Sequence, residues 1–178
     1  MNEYTTKIQE NVQKFYEGNS EVATWYYNPD GTIKKEGKSI SGVVRQYYDN
    51  DVLASEMSYA AGELNGYYIL FDEKGTAEEE GAFKANELHG VYKQYYPDGR
   101  LKLQGKYKHG KKDGVFRLYF ENGVVEEEEN YKNGVLHGEY RSHFKNGAIE
   151  TYAKYKKGVL KHIKQYDVSG AVNKEKKY

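Results

Sequence analysis

Glycine returns along this chain with a fixed 24-residue step, at Gly42, Gly66, Gly90, Gly114 and Gly138. Self-similarity at such a period identifies a repeat architecture, in which each unit buries its apolar face only by stacking on its neighbours. A second series with the same step holds Gly75, Gly99, Gly123 and Gly147, with Asp51 one period earlier. A third holds Gly62, Gly110, Gly134 and Gly158, with Asn86 in the gap. Aromatic residues keep step at Tyr59, Phe83, Tyr107, Tyr131 and Tyr155. The N-terminal copy is shorter: Gly42 comes 11 positions after Gly31, where Gly114 comes 15 after Gly99. The array runs from about Phe15 to Gly170.

Each unit reads as a β-hairpin. In the stretch from Gly90 to Tyr107, aromatic and branched residues flank Pro97-Asp98-Gly99, and Asp-Gly or Asn-Gly suits a tight hairpin turn with positive φ. Both prolines, Pro29 and Pro97, precede Asp-Gly, where a sheet tolerates them. The second turn of each unit carries Asn133-Gly134 or His109-Gly110, and such short links predict that every neighbour is antiparallel. A two-residue turn at Asp98-Gly99 places Tyr96 opposite Leu101, Gln94 opposite Leu103, Tyr92 opposite Gly105 and Gly90 opposite Tyr107. The same register pairs Val44 with Met57, Tyr68 with Gly81, Tyr140 with Ala153, Tyr48 with Leu53 and Phe144 with Ile149. One face therefore holds large rings nested against glycines, and Leu64, Leu88, Leu136 and Leu160 fall on it too. Glu127 and Glu129 would also point there, which predicts a bulge or an exposed stretch. The opposite face carries Arg45, Lys93, Arg117 and Arg141 beside Tyr47, Phe71, Tyr95, Tyr119 and His143.

The pattern Gly-x-Tyr-x-x-Tyr-Tyr-x-x-Gly, a charged strand, then Tyr-Lys-x-Gly-x-x-x-Gly resembles the MORN repeat. The likeness is to the bacterial variant with a unit in the mid-twenties, known as an antitoxin component, and it covers most of the chain in about six units. It implies stacked hairpins in one elongated, twisted, rod-like antiparallel sheet, and a binding or scaffolding role without intrinsic chemistry. Some members are fused to phosphatidylinositol phosphate kinases, but no residues here match the kinase part.

The remaining composition narrows the function classes. Lysine plus arginine and aspartate plus glutamate number 27 each, so the net charge is zero, against the basic balance expected of a nucleic-acid binder. No cysteine is present, so neither disulfides nor thiolate metal sites arise. No apolar run is long enough for a membrane helix. The N-terminus does not read as a signal peptide; the expected location is cytoplasmic, or exported if a leader was removed ahead of Met1.

Candidate chemistry fails on geometry. Gly31-Thr-Ile-Lys-Lys-Glu-Gly37-Lys38-Ser39 has five residues between its glycines where a phosphate loop has four, and no helix follows. His89 and His137 share a column but lie about 19 Å apart, too far to share a metal, and His109, His143 and His162 are scattered. In Glu78-Glu79-Glu80 and Glu126 to Glu129, adjacent carboxylates alternate between faces. Arg117 then stands across from Glu128, and Arg45 from Glu56, as charge pairs on a solvated face. Hence no catalytic residue, metal or cofactor is expected.

Arg45, Tyr47, Phe71, Lys93, Tyr95, Arg117, Tyr119 and Arg141 form the candidate binding surface, rings interleaved with cations. Charge is polarised along the chain: residues 1–89 hold 8 basic and 16 acidic side chains, and residues 90–178 hold 19 and 11. Opposite ends of two copies could associate head to tail, and lysines such as Lys174, Lys176 and Lys177 could guard an edge strand or touch anionic lipid. At the N-terminus, Ile8, Val12, Phe15 and Tyr16 suit a helix ending at Gly18, while alignment of Phe15–Gly18 with Tyr131–Gly134 favours a strand from about Asn11.

The expectation is an all-β array of roughly 13 strands. An N-terminal edge or cap segment (1–17) precedes the repeats (18–170), and a basic tail (171–178) follows. The expected function is non-enzymatic binding of another protein, antitoxin-like in the narrow form. The alternative is peripheral binding to membranes or anionic lipid; no nucleic-acid partner is expected.

Overall fold

The computed structural model describes residues 2–178, which fold as strands and turns; among the described residues no helix is long and apolar enough to cross a membrane. Eighteen strands are present among them, more than expected, partly because short interruptions split some repeats. The chain divides into two compact units, Met1–Glu87 and Leu88–Tyr178.

The first unit contains β1 (Glu3–Gln9), β2 (Val12–Glu17), β3 (Ser20–Tyr27), β4 (Ile33–Gly37), β5 (Gly42–Tyr47), β6 (Leu53–Ala60), β7 (Glu63–Phe71) and β8 (Ala77–Lys84). The strand at the N-terminus starts at Glu3, well before Asn11, and no helix forms there. One pair breaks the antiparallel rule. β1 runs antiparallel to β2 but parallel to β5, with Tyr4 beside Val44, so it has neighbours on both sides rather than forming an edge. The spatial order is β4-β3-β2-β1-β5-β6-β7-β8.

The short N-terminal copy accounts for this exception. Between β4 and β5 only Lys38 to Ser41 remain, and instead of turning a hairpin they cross over with Ile40 fully buried. The backbone is held by Lys38 N–H to Val22 O and Gly62 N–H to Ile40 O. Ile40 joins Tyr4, Phe15, Ala23, Trp25 and Val44 in a core, with Val22 and Tyr59 against it. In a flat sheet β3 and β6, four spacings apart in this order, would lie about 19 Å from each other. Yet the Trp25 and Tyr59 ring centroids are 5.6 Å apart. The strands therefore curl over one another, and the crossover closes the curl.

After β9 (Glu87–Leu88) at the junction, the second unit contains β10 (Gly90–Tyr95), β11 (Leu101–Lys108), β12 (Lys111–Lys112), β13 (Gly114–Tyr119), β14 (Val125–Lys132), β15 (Val135–His143), β16 (Ile149–Lys156), β17 (Val159–Tyr166) and β18 (Val172–Lys177). These pair in chain order as an antiparallel meander. The basic segment at the C-terminus is strand β18, paired with β17 and exposed along its whole length.

The expected register holds through most of each hairpin: Gly90 faces Tyr107, Tyr92 faces Gly105 and Gln94 faces Leu103. It then slips by one residue. Leu101 faces Tyr95 rather than Tyr96, Leu53 faces Tyr47 rather than Tyr48, and Ile149 faces His143 rather than Phe144. The cause is the turn type. Gly99 N–H donates to Tyr96 O while Tyr96 N–H donates to Arg100 O, and of the Asp98-Gly99 pair only Gly99 has positive φ. That is a type I turn closed by a glycine bulge, which Pro97 favours at its second position. The two-residue turn with both residues at positive φ belongs to the other end of the repeat, at His109-Gly110, Asn133-Gly134 and Lys157-Gly158.

Candidate functional site

In the second unit, the nested rings meet edge to face. Tyr92 and Tyr107 lie 5.2 Å apart between centroids, Tyr107 and Phe116 5.4 Å, and Phe116 and Tyr131 5.5 Å. Each repeat glycine faces a ring across the strands: Gly42 with Tyr59, Gly66 with Phe83, Gly90 with Tyr107, Gly114 with Tyr131 and Gly138 with Tyr155. Such edge-to-face contacts are worth roughly 0.5–1.5 kcal/mol each beyond area burial. A sheet poor in aliphatic residues is thereby held together by tyrosine.

Glu127 and Glu129 sit on this ring face in an unbroken stretch of the β13–β14 ladder, opposite Leu118 and Phe116. The expected irregularity flanks them: the β14–β15 register shifts between Glu129 and Tyr131, and the β13–β14 register shifts just past Glu127, after Leu118. Hydrogen bonds then satisfy the two carboxylates. Tyr131 Oη donates to Glu129 at 2.9 Å and Tyr140 Oη to Glu127 at 3.1 Å. Lys112 Nζ lies 3.9 Å from Glu129 and within 5 Å of both the Phe116 and Tyr131 ring centroids. Burial, reinforced by Glu127, pushes the Tyr140 phenol up to about 12, and burial with the Glu129 bond raises Tyr131 further. In the first unit burial, with a smaller push from Tyr27, takes Tyr59 to about 12. This acid–tyrosine arrangement escaped sequence reasoning, although four successive glutamates opposite a ring column were its visible signal.

The opposite face holds the predicted surface. In the first unit Arg45 pairs with Glu56 at 2.8 Å and with Glu3 at 3.1 Å. Tyr47, 45% exposed, lies opposite Leu53, and Phe71 lies opposite Ala77. In the second unit Lys93 stands across from Gln104, and Arg117 and Arg141 both bind Glu128, at 2.8 and 3.1 Å. Arg141 also binds Glu139, which accepts from Tyr152 Oη. The arginines are thus engaged within the chain, in half-exposed networks worth little more than about 1 kcal/mol per pair.

The rings have different neighbours. The slipped register sets an aliphatic residue opposite each one: Leu101 by Tyr95, Val125 by Tyr119, Ile149 by His143 and Val172 by Tyr166. Ile149 is 40% exposed and Val172 52%. Around the bulged turns, Tyr96, Arg100, Phe120, Glu121, Asn122, Glu126 and Lys145 line an open groove of about 610 Å³. Tyr96 Oη donates to the Tyr119 carbonyl, and Asn122 Nδ2 to the Lys145 carbonyl, locking successive turns one repeat apart.

The histidines have separate roles. His162 bonds Glu175 at 2.8 Å, His137 Nδ1 accepts from Lys157 N–H, and His89 and His109 contact edge to face.

With this geometry the comparisons with known proteins are informative in one respect. The MORN repeat variant matches residues 40–61, 88–109 and 112–133. Three stretches of the chain are MORN-like. MORN repeats are generally protein- or lipid-binding modules. No curated protein matches the sequence. Among solved structures, the selenomethionine-substituted virginiamycin B lyase from Staphylococcus aureus aligns at 10% identity over 98% of this chain and 69% of that one. Its TM-score is 0.20, too low to carry an argument.

Proposed function

We propose that the protein is a non-catalytic scaffold that binds another protein along the ring-and-aliphatic row of its second unit. The observation that carries this reading is the slipped register, which sets Leu101, Val125, Ile149 and Val172 directly opposite Tyr95, Tyr119, His143 and Tyr166 on one face. Half-exposed aromatic anchors beside aliphatic side chains, rimmed by polar groups, are what protein interfaces use. The arginines supply that rim, since their charges are already satisfied by Glu128 and Glu139. In its narrow, antitoxin-like form the partner is a toxic protein held inactive on this row. Capture from lysate of the source organism tests the proposal, comparing wild type with Tyr95→Ala/Tyr119→Ala and with Leu101→Lys/Ile149→Lys. One protein retained by wild type and lost by both folded variants supports it; retention by both variants contradicts it.

A second reading, binding to anionic lipid, is favoured by β18, whose Lys174, Lys176 and Lys177 are all exposed. Salt-sensitive flotation with acidic liposomes, lost on removing residues 171–178, distinguishes it.

A further inference from the structure

The two units carry opposite charge, and at their turns this charge is arranged in rows. In the second unit, the two-residue turns hold Lys108, Lys111, Lys132, Lys156 and Lys157, with Lys161 just after; all are exposed and none makes an ion pair among the described residues. Lys108 and Lys111 even stand directly opposite each other across β11 and β12. Like charges so placed oppose folding, so the arrangement is not explained by stability. The one carboxylate among these turns, Asp113, is occupied by Asn133 N–H.

The row is rigid. Gly110 N–H donates to Leu88 O, Gly134 N–H to Lys112 O and Gly158 N–H to Leu136 O, at 2.7 to 2.9 Å, so each turn is tied to the repeat before it. Two strand spacings separate successive turns, about 9.6 Å.

The first unit carries the complement. Its bulged turns hold Asp49, Asp51 and Glu73, all exposed, with Lys74 as the only cation among them. Those turns are tied as well: Tyr48 Oη donates to Phe71 O at 2.6 Å and Asn50 Nδ2 to Glu73 O at 3.1 Å. They therefore share the same spacing of about 9.6 Å. Over residues 1–87 there are 8 basic and 16 acidic side chains, net −8, and over 88–178 there are 19 and 11, net +8.

We propose that two copies of this chain associate through these rows, the acidic turns of the first unit of one copy meeting the lysine turns of the second unit of the other. Both rows are preorganised at one repeat distance, so register as well as charge is matched. Each pair is exposed, so the contact is weak singly and depends on several acting together. The interface is heterologous: each copy retains an unused row of the other sign, and association continues unless the geometry closes. The proposal does not depend on the ring-and-aliphatic row, which lies on other residues.

Sedimentation over a range of concentrations tests it. The expected result is a mass that rises with concentration at low salt and returns to monomer at about 0.5 M salt, where screening is short-ranged. Lys108→Glu/Lys132→Glu/Lys157→Glu should be monomeric, and so should Asp49→Lys/Glu73→Lys, while an equimolar mixture of the two should associate. Wild type that stays monomeric at low salt overturns the proposal, as does association that survives the reversals or fails to reappear in the mixture. Binding of monomeric wild type to phosphatidylserine vesicles that is kept on removing residues 171–178 but lost in Lys108→Glu/Lys132→Glu/Lys157→Glu would instead assign the lysine row to a polyanion.

Discussion

Gly105 lies so close under the Phe116 ring that a Cβ built on it would come within 2.4 Å of the ring Cδ1 atom. The glycine faces Tyr92 across β10 and β11, so one repeat's ring covers it from the side while the next repeat's ring covers it from above. Gly105→Ala should therefore destabilise the second unit by about 1–3 kcal/mol, the usual cost of overpacking. Gly110, with nothing within 4 Å of such a Cβ, should lose only the smaller cost of its left-handed conformation, about 1 kcal/mol. Urea denaturation of both variants checks the order, and Gly105→Ala/Phe116→Leu should regain part of the loss.

Ile40 is fully buried in the crossover that closes the first unit. Ile40→Ala should cost about 2–5 kcal/mol. Trp25, the one tryptophan of the chain, packs 4.5 Å from Phe15 between ring centroids and reports the same unit. Its fluorescence should shift to the red at lower urea in Ile40→Ala than in wild type. An unchanged midpoint would mean that the crossover does not support the curl.

Tyr59 and Tyr140 have phenols raised from 10.0 to about 12, so the folded state disfavours their ionised forms. This contribution to stability is therefore complete below pH 10 and is lost as pH rises toward 12. Phenolate absorbance should show a class of tyrosines titrating late, coincident with alkaline unfolding. Glu127→Gln should bring one of them, Tyr140, down, because a neighbouring negative charge is removed.

The repeat period, the ring-against-glycine pairs and the Arg45–Glu56 and Arg117–Glu128 pairs were legible because they depend on local spacing and strand alternation. The slip at Tyr95 was not, since Asp98-Gly99 suits two turn types; Pro97 was the signal that separated them. Insertion of β1 between β2 and β5 was hidden for a different reason. Periodicity describes neighbours in sequence, whereas Tyr4 beside Val44 is a contact between distant segments. Only the missing residues between Gly31 and Gly42 hinted that a hairpin could not form there. The candidate row was half legible: its rings followed the period, but the aliphatic partners depended on the slip.

The proposed binding role depends on which face of the second unit meets a partner. A photoreactive phenylalanine analogue at Leu101, on the ring-and-aliphatic row, should crosslink to one protein in lysate of the source organism. The same analogue at Tyr107, on the nested ring face, should give no adduct with that protein. An adduct from Tyr107 but none from Leu101 would contradict the assignment and move the binding surface to the nested rings.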